Sequence, residues 1–140
     1  MNIVVDTNVI IAALLRQGIV RELLFGYPGS FITPKSCIEE IWEHRDVWGC
    51  GCCADDELRE VVDLLADDVL VIAFGEVYSS KAKEASFLTD DPDDIPVIAL
   101  ALAIDNDGLW TFNRKDFSKP ALRSRVNVLS TSEVCRLLRF

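Results

Sequence analysis

Residues 89–104 read TDDPDDIPVIALALAI and set the architecture of the whole chain. Four aspartates stand within five positions, and ten residues without a charge follow them. The apolar run is shorter than the roughly 20 residues that a bilayer-spanning helix needs. It is longer than an ordinary strand and rich in alanine and leucine, so it predicts a helix that is buried on nearly every side.

The aspartates lie where this predicted helix begins. Asp93 or Asp94 is expected to cap it, and Pro96 is tolerated because the N–H groups of a first turn have no helical acceptor. Acids near a helix N-terminus also offset the macrodipole, typically for ~0.3–1 kcal/mol, which explains part of the cluster. One aspartate is enough for a cap, however, and Asp94 would be costly to bury as a bare anion. A divalent cation is one group that would compensate its charge.

The composition indicates a single domain over residues 1–140. Half of the 140 residues are hydrophobic, so the chain is long enough to form a real core. Asp6 follows soon after Met1, and no apolar run reaches spanning length. We therefore expect no leader, no membrane association and a cytoplasmic location.

Five cysteines include a cluster at Cys50, Cys52 and Cys53. In a cytoplasmic protein they are expected to be free thiols. A zinc site with His44 is conceivable, but the spacing matches no standard pair of ligands. A connection between two helices that is rich in glycine and cysteine is the favoured interpretation.

The charge is unevenly distributed along the chain. The net charge is −9, yet seven of the 14 basic residues and only two of the 23 acidic residues lie within residues 114–140. An acidic body with a basic C-terminal part suits a polyanion held beside a metal site. Basic residues that are simply solvated on a terminal helix are the alternative interpretation.

Short apolar strands alternate with helical patterns along the sequence. Strands are predicted at residues 3–5, 30–33, 69–72, 109–112 and 126–129. Helices are predicted at residues 9–15, 19–25, 34 to 44 or 48, 55–65, 76–87, 95–104 and 130–138. This alternation predicts a three-layer α/β/α sandwich around a mostly parallel sheet of about five strands.

Acids recur where predicted strands end or helices begin. Asp6 follows the first strand, Asp94 precedes the buried helix, and Asp116 lies just beyond the fourth strand. The third helix adds Glu40 or Glu39, of which only one can fully face a site because adjacent residues lie about 100° apart around a helix. In a parallel sheet such positions can converge at one edge. Oxygen ligands without a nearby histidine favour Mg²⁺ or Mn²⁺ over zinc.

Four segments together carry a resemblance to a known family. Each segment is weak evidence alone, but their order and their separations along the chain make the evidence strong. They are Val4-Val5-Asp6-Thr7-Asn8-Val9-Ile10, Thr33-Pro34 through Glu39-Glu40-Ile41, Asp91-Pro92-Asp93-Asp94-Ile95-Pro96 with Ala99-Leu100-Ala101, and Thr111 through Asn113-Arg114-Lys115-Asp116-Phe117. In these segments the chain resembles the PIN domain superfamily of metal-dependent ribonucleases, which includes the toxins of VapBC-type toxin–antitoxin pairs. The resemblance covers essentially the whole chain.

The resemblance implies roles for a set of residues. It implies that Mg²⁺ or Mn²⁺ is bound, directly or through water, by Asp6, Glu40, Asp94 and Asp116. It implies that ligands or bound waters are held in place by Thr7, Thr111 and Asn113, and that an auxiliary acid found in part of the family corresponds to Asp91. The sequence departs from the family pattern at Glu39, which offers a second glutamate, and at Phe112, which adds bulk to the last motif.

These features lead to the hypothesis of a Mg²⁺- or Mn²⁺-dependent endoribonuclease that cuts single-stranded RNA. Binding that weakens steeply with salt is expected, because the RNA phosphates would be held by Arg114, Lys115, Lys119 and Arg123. The alternative is a catalytically inactive PIN-like module that binds RNA or protein. A receiver-type protein that uses Asp6 is disfavoured because no lysine ends a late strand. If the chain is a toxin, an antitoxin would block the acidic cleft, and a homodimer is a further expectation from the family.

Overall fold

The computed structural model describes residues 1–48 and 55–140. Its centre is a five-stranded sheet with the order β3-β2-β1-β4-β5, in which every neighbouring pair is parallel. The strands are β1 (Ile3–Val5), β2 (Phe31–Pro34), β3 (Leu70–Ala73), β4 (Gly108–Trp110) and β5 (Val128–Leu129). The predicted α/β fold with a parallel sheet of five strands is confirmed.

The side chains of the strands alternate between two hydrophobic layers. Ile3 and Val5 of β1 belong to one layer and Val4 to the other, as the two-residue period of a strand requires. In β4, Trp110 and Leu109 separate in the same way. Because both faces of the sheet are apolar, both must be covered by helices, which gives three layers.

The helices cover these two faces. In chain order they are α1 (Thr7–Leu15), α2 (Ile19–Gly26), α3 (Lys35–Glu43), α4 (Arg45–Trp48), α5 (Asp55–Leu64), α6 (Gly75–Tyr78), α7 (Ala82–Ser86), α8 (Ile95–Ala103), α9 (Pro120–Arg123) and α10 (Thr131–Leu138). Buried residues of α1, α2, α3, α5 and α10 pack in the first layer, and those of α7, α8 and α9 pack in the second.

Helix α8 is the buried helix predicted from the opening segment. Five consecutive residues, from Val97 to Ala101, are buried. The helix begins at Ile95, directly after a 3₁₀ turn at Pro92–Asp94, so the aspartates are held at the edge of the core. Among the residues described, no helix is long and apolar enough to cross a membrane.

Several predicted boundaries are wrong by part of an element. Of the two ends predicted for the third helix, His44 agrees with the structure, because α3 ends at Glu43 with His44 as its C-cap and α4 follows as a separate helix. The helix predicted at 76–87 is instead α6, a 3₁₀ turn at Ser79–Lys81 and α7. Serine competes for backbone hydrogen bonds and is a weak helix former, which is consistent with the break at this point.

The last two strands are shorter than predicted. Strand β4 ends at Trp110, so Thr111 and Phe112 leave the sheet. Strand β5 begins only at Val128, because the backbone N–H of Val126 donates to Leu122 and completes the turn after α9. The sequence does not predict α9. The connection between two helices that was predicted at the cysteine cluster (Cys50, Cys52 and Cys53) lies outside the described residues.

Candidate metal centre

The order of the strands brings the ends of β1 and β4 together. The chain proceeds from β1 through β2 to β3 on one side, and β4 and β5 lie on the other side of β1. In open parallel sheets, ligands bind beyond the carboxyl ends of the strands where the order reverses in this way. Asp6 follows β1 and Thr111 follows β4, so both residues lie at this point.

Asp6 is buried at the start of α1. It is 7% exposed, and its carboxylate accepts hydrogen bonds from the Thr7 backbone N–H and the Thr111 hydroxyl, both at 2.8 Å. Burial raises the pKa of Asp6, the two hydrogen bonds oppose that change, and repulsion from Asp91 and Asp116 adds to it. Asp6 is thus a structural cap and also one of a group of interacting carboxylates.

Three carboxylates form the closest cluster at this edge. Oxygens of Asp91, Asp94 and Asp116 all lie within 4.8 Å of one another. The 3₁₀ turn produces this proximity in part, because side chains three residues apart eclipse one another in such a turn. Asp91 also caps the turn by accepting a hydrogen bond from the backbone N–H of Asp93 at 3.0 Å.

Within this cluster, the negative charge of Asp94 is strongly destabilised by burial and by repulsion from the neighbouring carboxylates. It is 7% exposed, and its Oδ2 atom is buried without a hydrogen-bond partner among the residues described. Burial raises the pKa of Asp94 to about 7, and repulsion from Asp6, Asp91 and Asp116 adds to this effect. The prediction that Asp93 or Asp94 caps α8 is confirmed, since Asp94 is the N-cap residue, although its side chain makes no capping hydrogen bond.

A chain of hydrogen bonds connects Asp6 with Asp116. The Thr111 hydroxyl donates to Asp6 and accepts from the backbone N–H of Asn113 at 3.1 Å. The Asn113 side-chain amide in turn donates to Asp116. One loop after β4 therefore fixes the positions of two carboxylates, and the added bulk of Phe112 does not interrupt it.

Glu40 approaches the same edge from α3. The Thr7 hydroxyl donates to Glu40 Oε2 at 3.3 Å. Burial raises the pKa of Glu40, and repulsion from Asp93 and Asp6 adds to the change. The neighbouring Glu39 has a side chain 59% exposed and lies 3.8 Å from Lys35. Of the two glutamates, Glu40 is the one beside Asp6.

The predicted basic residues occupy two different surroundings. Lys115 and Lys119 line a cleft of about 410 Å³ together with Asp91 and Asp116. Lys119 also forms an ion pair of 2.7 Å with Asp90 at the rim of this cleft. The other two have partners elsewhere: Arg114 lies 3.9 Å from Glu133, and Arg123 donates to the carbonyl of Phe117 at 3.1 Å.

Sequence reasoning ranked one acid too low and missed one hydroxyl. Asp91 appeared only as an auxiliary acid, whereas it belongs to the closest cluster; the three-residue spacing around Pro92 is the signal for it. Thr33 is fully buried, and its hydroxyl donates to the carbonyl of Val5 at 2.9 Å, directly before Asp6. Its signal is the same as for Asp6, a polar residue at the end of a buried strand.

The donor set fits a hard divalent cation. Every candidate ligand is a carboxylate oxygen, and Asp94 presents a buried oxygen with no other partner among the described residues. Mg²⁺ and Mn²⁺ prefer oxygen ligands, and a positive charge here would relieve the repulsion that raises the pKa of Asp94. The arrangement therefore has the composition and the electrostatics of a metal centre.

The family profile described as PIN domain matches residues 4–133. The chain therefore belongs to the PIN domain family, whose members are generally metal-dependent nucleases. No curated protein matches the chain. Membership together with the acidic cluster indicates a nuclease-type function and a divalent metal, and it indicates RNA binding.

Proposed function

We propose that this protein is a Mg²⁺- or Mn²⁺-dependent endoribonuclease that hydrolyses phosphodiester bonds of RNA. The main support is twofold. Carboxylate oxygens of Asp91, Asp94 and Asp116 lie within 4.8 Å of one another. The Oδ2 atom of Asp94 is also buried and has no hydrogen-bond partner among the described residues. Burying a charge beside other carboxylates lowers the stability of the folded protein. Residues whose pKa is shifted in this way frequently belong to functional sites.

In this proposal the metal is held, directly or through water, by Asp6, Glu40, Asp94 and Asp116, and Asp91 contributes a further oxygen. When bound, the ion would supply an activated water and would stabilise negative charge on the phosphorus oxygens and the leaving group. The supporting hydroxyls and the amide have a positioning role: Thr111 orients Asp6, Thr7 orients Glu40, and Asn113 orients Asp116.

The cleft beside the acids supplies the contacts for RNA phosphates. Lys115 and Lys119 lie next to Asp91 and Asp116, so a phosphate there would be close to both the cations and the metal ligands. The Lys119–Asp90 pair is on the surface and contributes little to stability, so a phosphate can replace Asp90 at low cost. Arg114 and Arg123 would guide a strand from a greater distance.

Cleavage of a labelled RNA tests the proposal directly. We expect cleavage with Mn²⁺, no cleavage with EDTA, and a loss of at least about 100-fold in Asp94→Asn, because changes to outer-shell partners alone typically cost 10–100-fold. A matched control is Asp63→Asn, which removes an exposed carboxylate far along the chain. Equal cleavage in all these samples would contradict the proposal, and RNA binding without cleavage would support an inactive module instead.

A toxin role, an antitoxin partner and a homodimer are finer predictions of the family resemblance, and a cytoplasmic location is a finer prediction of the composition. Expression in a bacterial host tests the first of them. We expect the wild-type chain to arrest growth and Asp94→Asn to permit it, because a toxin of this class acts through its nuclease site. Equal growth of the two strains at equal protein levels would contradict a toxin role.

A further inference from the structure

A second groove lies beside the metal centre, against α1 and the start of α2. It has a volume of about 280 Å³, and its lining includes Ala12, Ile19 and Phe112 together with Arg16 and Arg21. No carboxylate belongs to this lining, which is drawn from described residues. In a chain of net charge −9, a groove with two cations and no acid is an exception.

The position of Phe112 connects this groove to the acids. Phe112 lies between Thr111, which donates to Asp6, and Asn113, which donates to Asp116. Both neighbours are therefore tethered to carboxylates of the candidate site. The Phe112 ring is 43% exposed although it is a large apolar group, and it lies on the groove side of this loop. An aromatic face is thus held next to the place where a phosphodiester would be cut.

The two arginines differ in how firmly they are held. Arg21 donates to the carbonyls of Ala13 and Leu14 at 2.7 and 3.0 Å, which fixes its guanidinium at the end of α1. Arg16 is exposed, and among the described residues its side chain makes no hydrogen bond or ion pair. A guanidinium presents five N–H donors, so both side chains retain donors for an anion.

We propose that this groove holds an unpaired base and its phosphate from the RNA strand, next to the nucleotide at the metal centre. The base stacks on Phe112, and the phosphate is bound by Arg16 with Arg21 behind it. Aromatic side chains bind single strands in this way without reading sequence, whereas a base inside a duplex is already stacked and paired. The inference rests on the proposed function, because it takes RNA as the substrate, and it adds to that function a binding subsite for the neighbouring nucleotide.

Equilibrium binding in EDTA tests this assignment without any cleavage. The probe is a fluorescently labelled single-stranded RNA of mixed sequence, compared with a duplex of the same sequence. We expect Phe112→Ala to weaken single-strand binding about tenfold, and Phe112→Tyr to retain it, because stacking needs only an aromatic face. Duplex binding is expected to be weaker and the same in both variants.

Two further variants separate the contributions. Arg16→Gln is expected to reduce the slope of log affinity against log salt by about 0.7, which corresponds to one phosphate contact on a single strand. Phe87→Ala is the matched control, since Phe87 is an aromatic ring 73% exposed elsewhere on the surface. It should bind RNA as the wild type does. Thermal unfolding checks that each variant is folded.

The outcomes distinguish this inference from the proposed function. If the wild type cleaves RNA with Mn²⁺ while Phe112→Ala binds and cleaves RNA as well as the wild type, the inference is overturned. If the wild type fails to cleave but Phe112→Ala still loses binding, the groove assignment stands and the nuclease proposal fails. An absence of single-strand binding by the wild type also overturns the assignment.

Discussion

Two acid-rich regions of the chain differ in where their carboxylates point. At the edge of the sheet, Asp91, Asp94 and Asp116 face one another, and Asp94 is almost completely buried. Between residues 57 and 69, the acids are all exposed: they are Glu57, Glu60, Asp63, Asp67 and Asp68. Both regions contain several acids, but among the described residues only the first concentrates negative charge on a shared volume.

The comparison shows that burial and convergence, not the number of acids, define a metal centre. In the exposed segment, water and salt screen the charges, and the 3.8 Å pair between Arg59 and Asp63 is of the weak surface type. At the edge of the sheet, the pKa of Asp94 rises to about 7 because its charge is buried beside other carboxylates. Variants that change a buried acid or an exposed acid separately test whether burial and convergence distinguish the two regions.

The largest contrast is expected between adjacent glutamates on α3. Glu40→Gln should lower the rate of RNA cleavage by about 100-fold, because Glu40 lies at the candidate site, where its carboxylate accepts a hydrogen bond from the Thr7 hydroxyl. Glu39→Gln should change cleavage by less than about twofold, since the Glu39 side chain is 59% exposed and forms a surface ion pair with Lys35. Initial rates at saturating Mn²⁺ measure both. Similar losses of activity in the two variants would show that Glu40 is wrongly assigned as the glutamate that faces the site.

A smaller effect is expected from the hydroxyl that orients Asp6. Thr111→Val keeps the shape of the side chain but removes the 2.8 Å hydrogen bond to Asp6 and the acceptor for Asn113. We expect about a tenfold loss of apparent Mn²⁺ affinity, which a titration of cleavage against Mn²⁺ measures. Thr111→Ser should restore most of it. Failure of serine to do so would show that packing, rather than the hydroxyl, matters at this position.

The smallest effect is a pH dependence of the metal-free protein. The folded state keeps the Asp94 proton up to a pH of about 7, whereas the unfolded state releases it near 3.8. The folded state therefore binds more protons between these values, so the free energy of unfolding falls as pH rises from about 4 to 7 and then levels off. After allowance for solvent screening, we expect a fall on the order of 1–2 kcal/mol.

Urea unfolding in EDTA between pH 4.5 and 8 measures this dependence. Asp94→Asn should lose most of the fall and should be the more stable protein at pH 8. Asp63→Asn, which changes an exposed acid, should keep the fall and differ from the wild type by less than about 0.5 kcal/mol. A wild-type protein whose stability rises between pH 5 and 8 would contradict the electrostatic description of Asp94.

Much of the fold was predictable because its signals are local. The β-branched run before Asp6 indicates a buried strand, and the uncharged run after Asp94 indicates a buried helix. In a parallel α/β sheet the ends of strands and the starts of the following helices can lie at one edge, so the sequence predicts that both residues lie there. The signal for the capping box of Ser130 and Glu133, which begins α10, is equally local.

Other features depended on tertiary contacts that the sequence does not display. The choice between Glu39 and Glu40 depends on the rotation of α3 about its axis, which the packing of Ile41 and Cys37 against the core determines. The closeness of Asp91 to Asp116 depends on the path of the loop after β4, which two side-chain hydrogen bonds stabilise. The spacing around Pro92 indicates that Asp91 lies close to Asp94, but the residue types do not specify the rotation of α3 or the path of the loop after β4.

The buried oxygen of Asp94 has no hydrogen-bond partner among the described residues, so a proton and a divalent ion would compete for it. Near neutral pH, uptake of an ion would displace a proton, so the heat of binding would vary with the ionisation enthalpy of the buffer. The ion would also hold the chain in its native state by mass action. The lifetime of this protein in a cell would then depend on the local supply of manganese or magnesium as well as on its sequence.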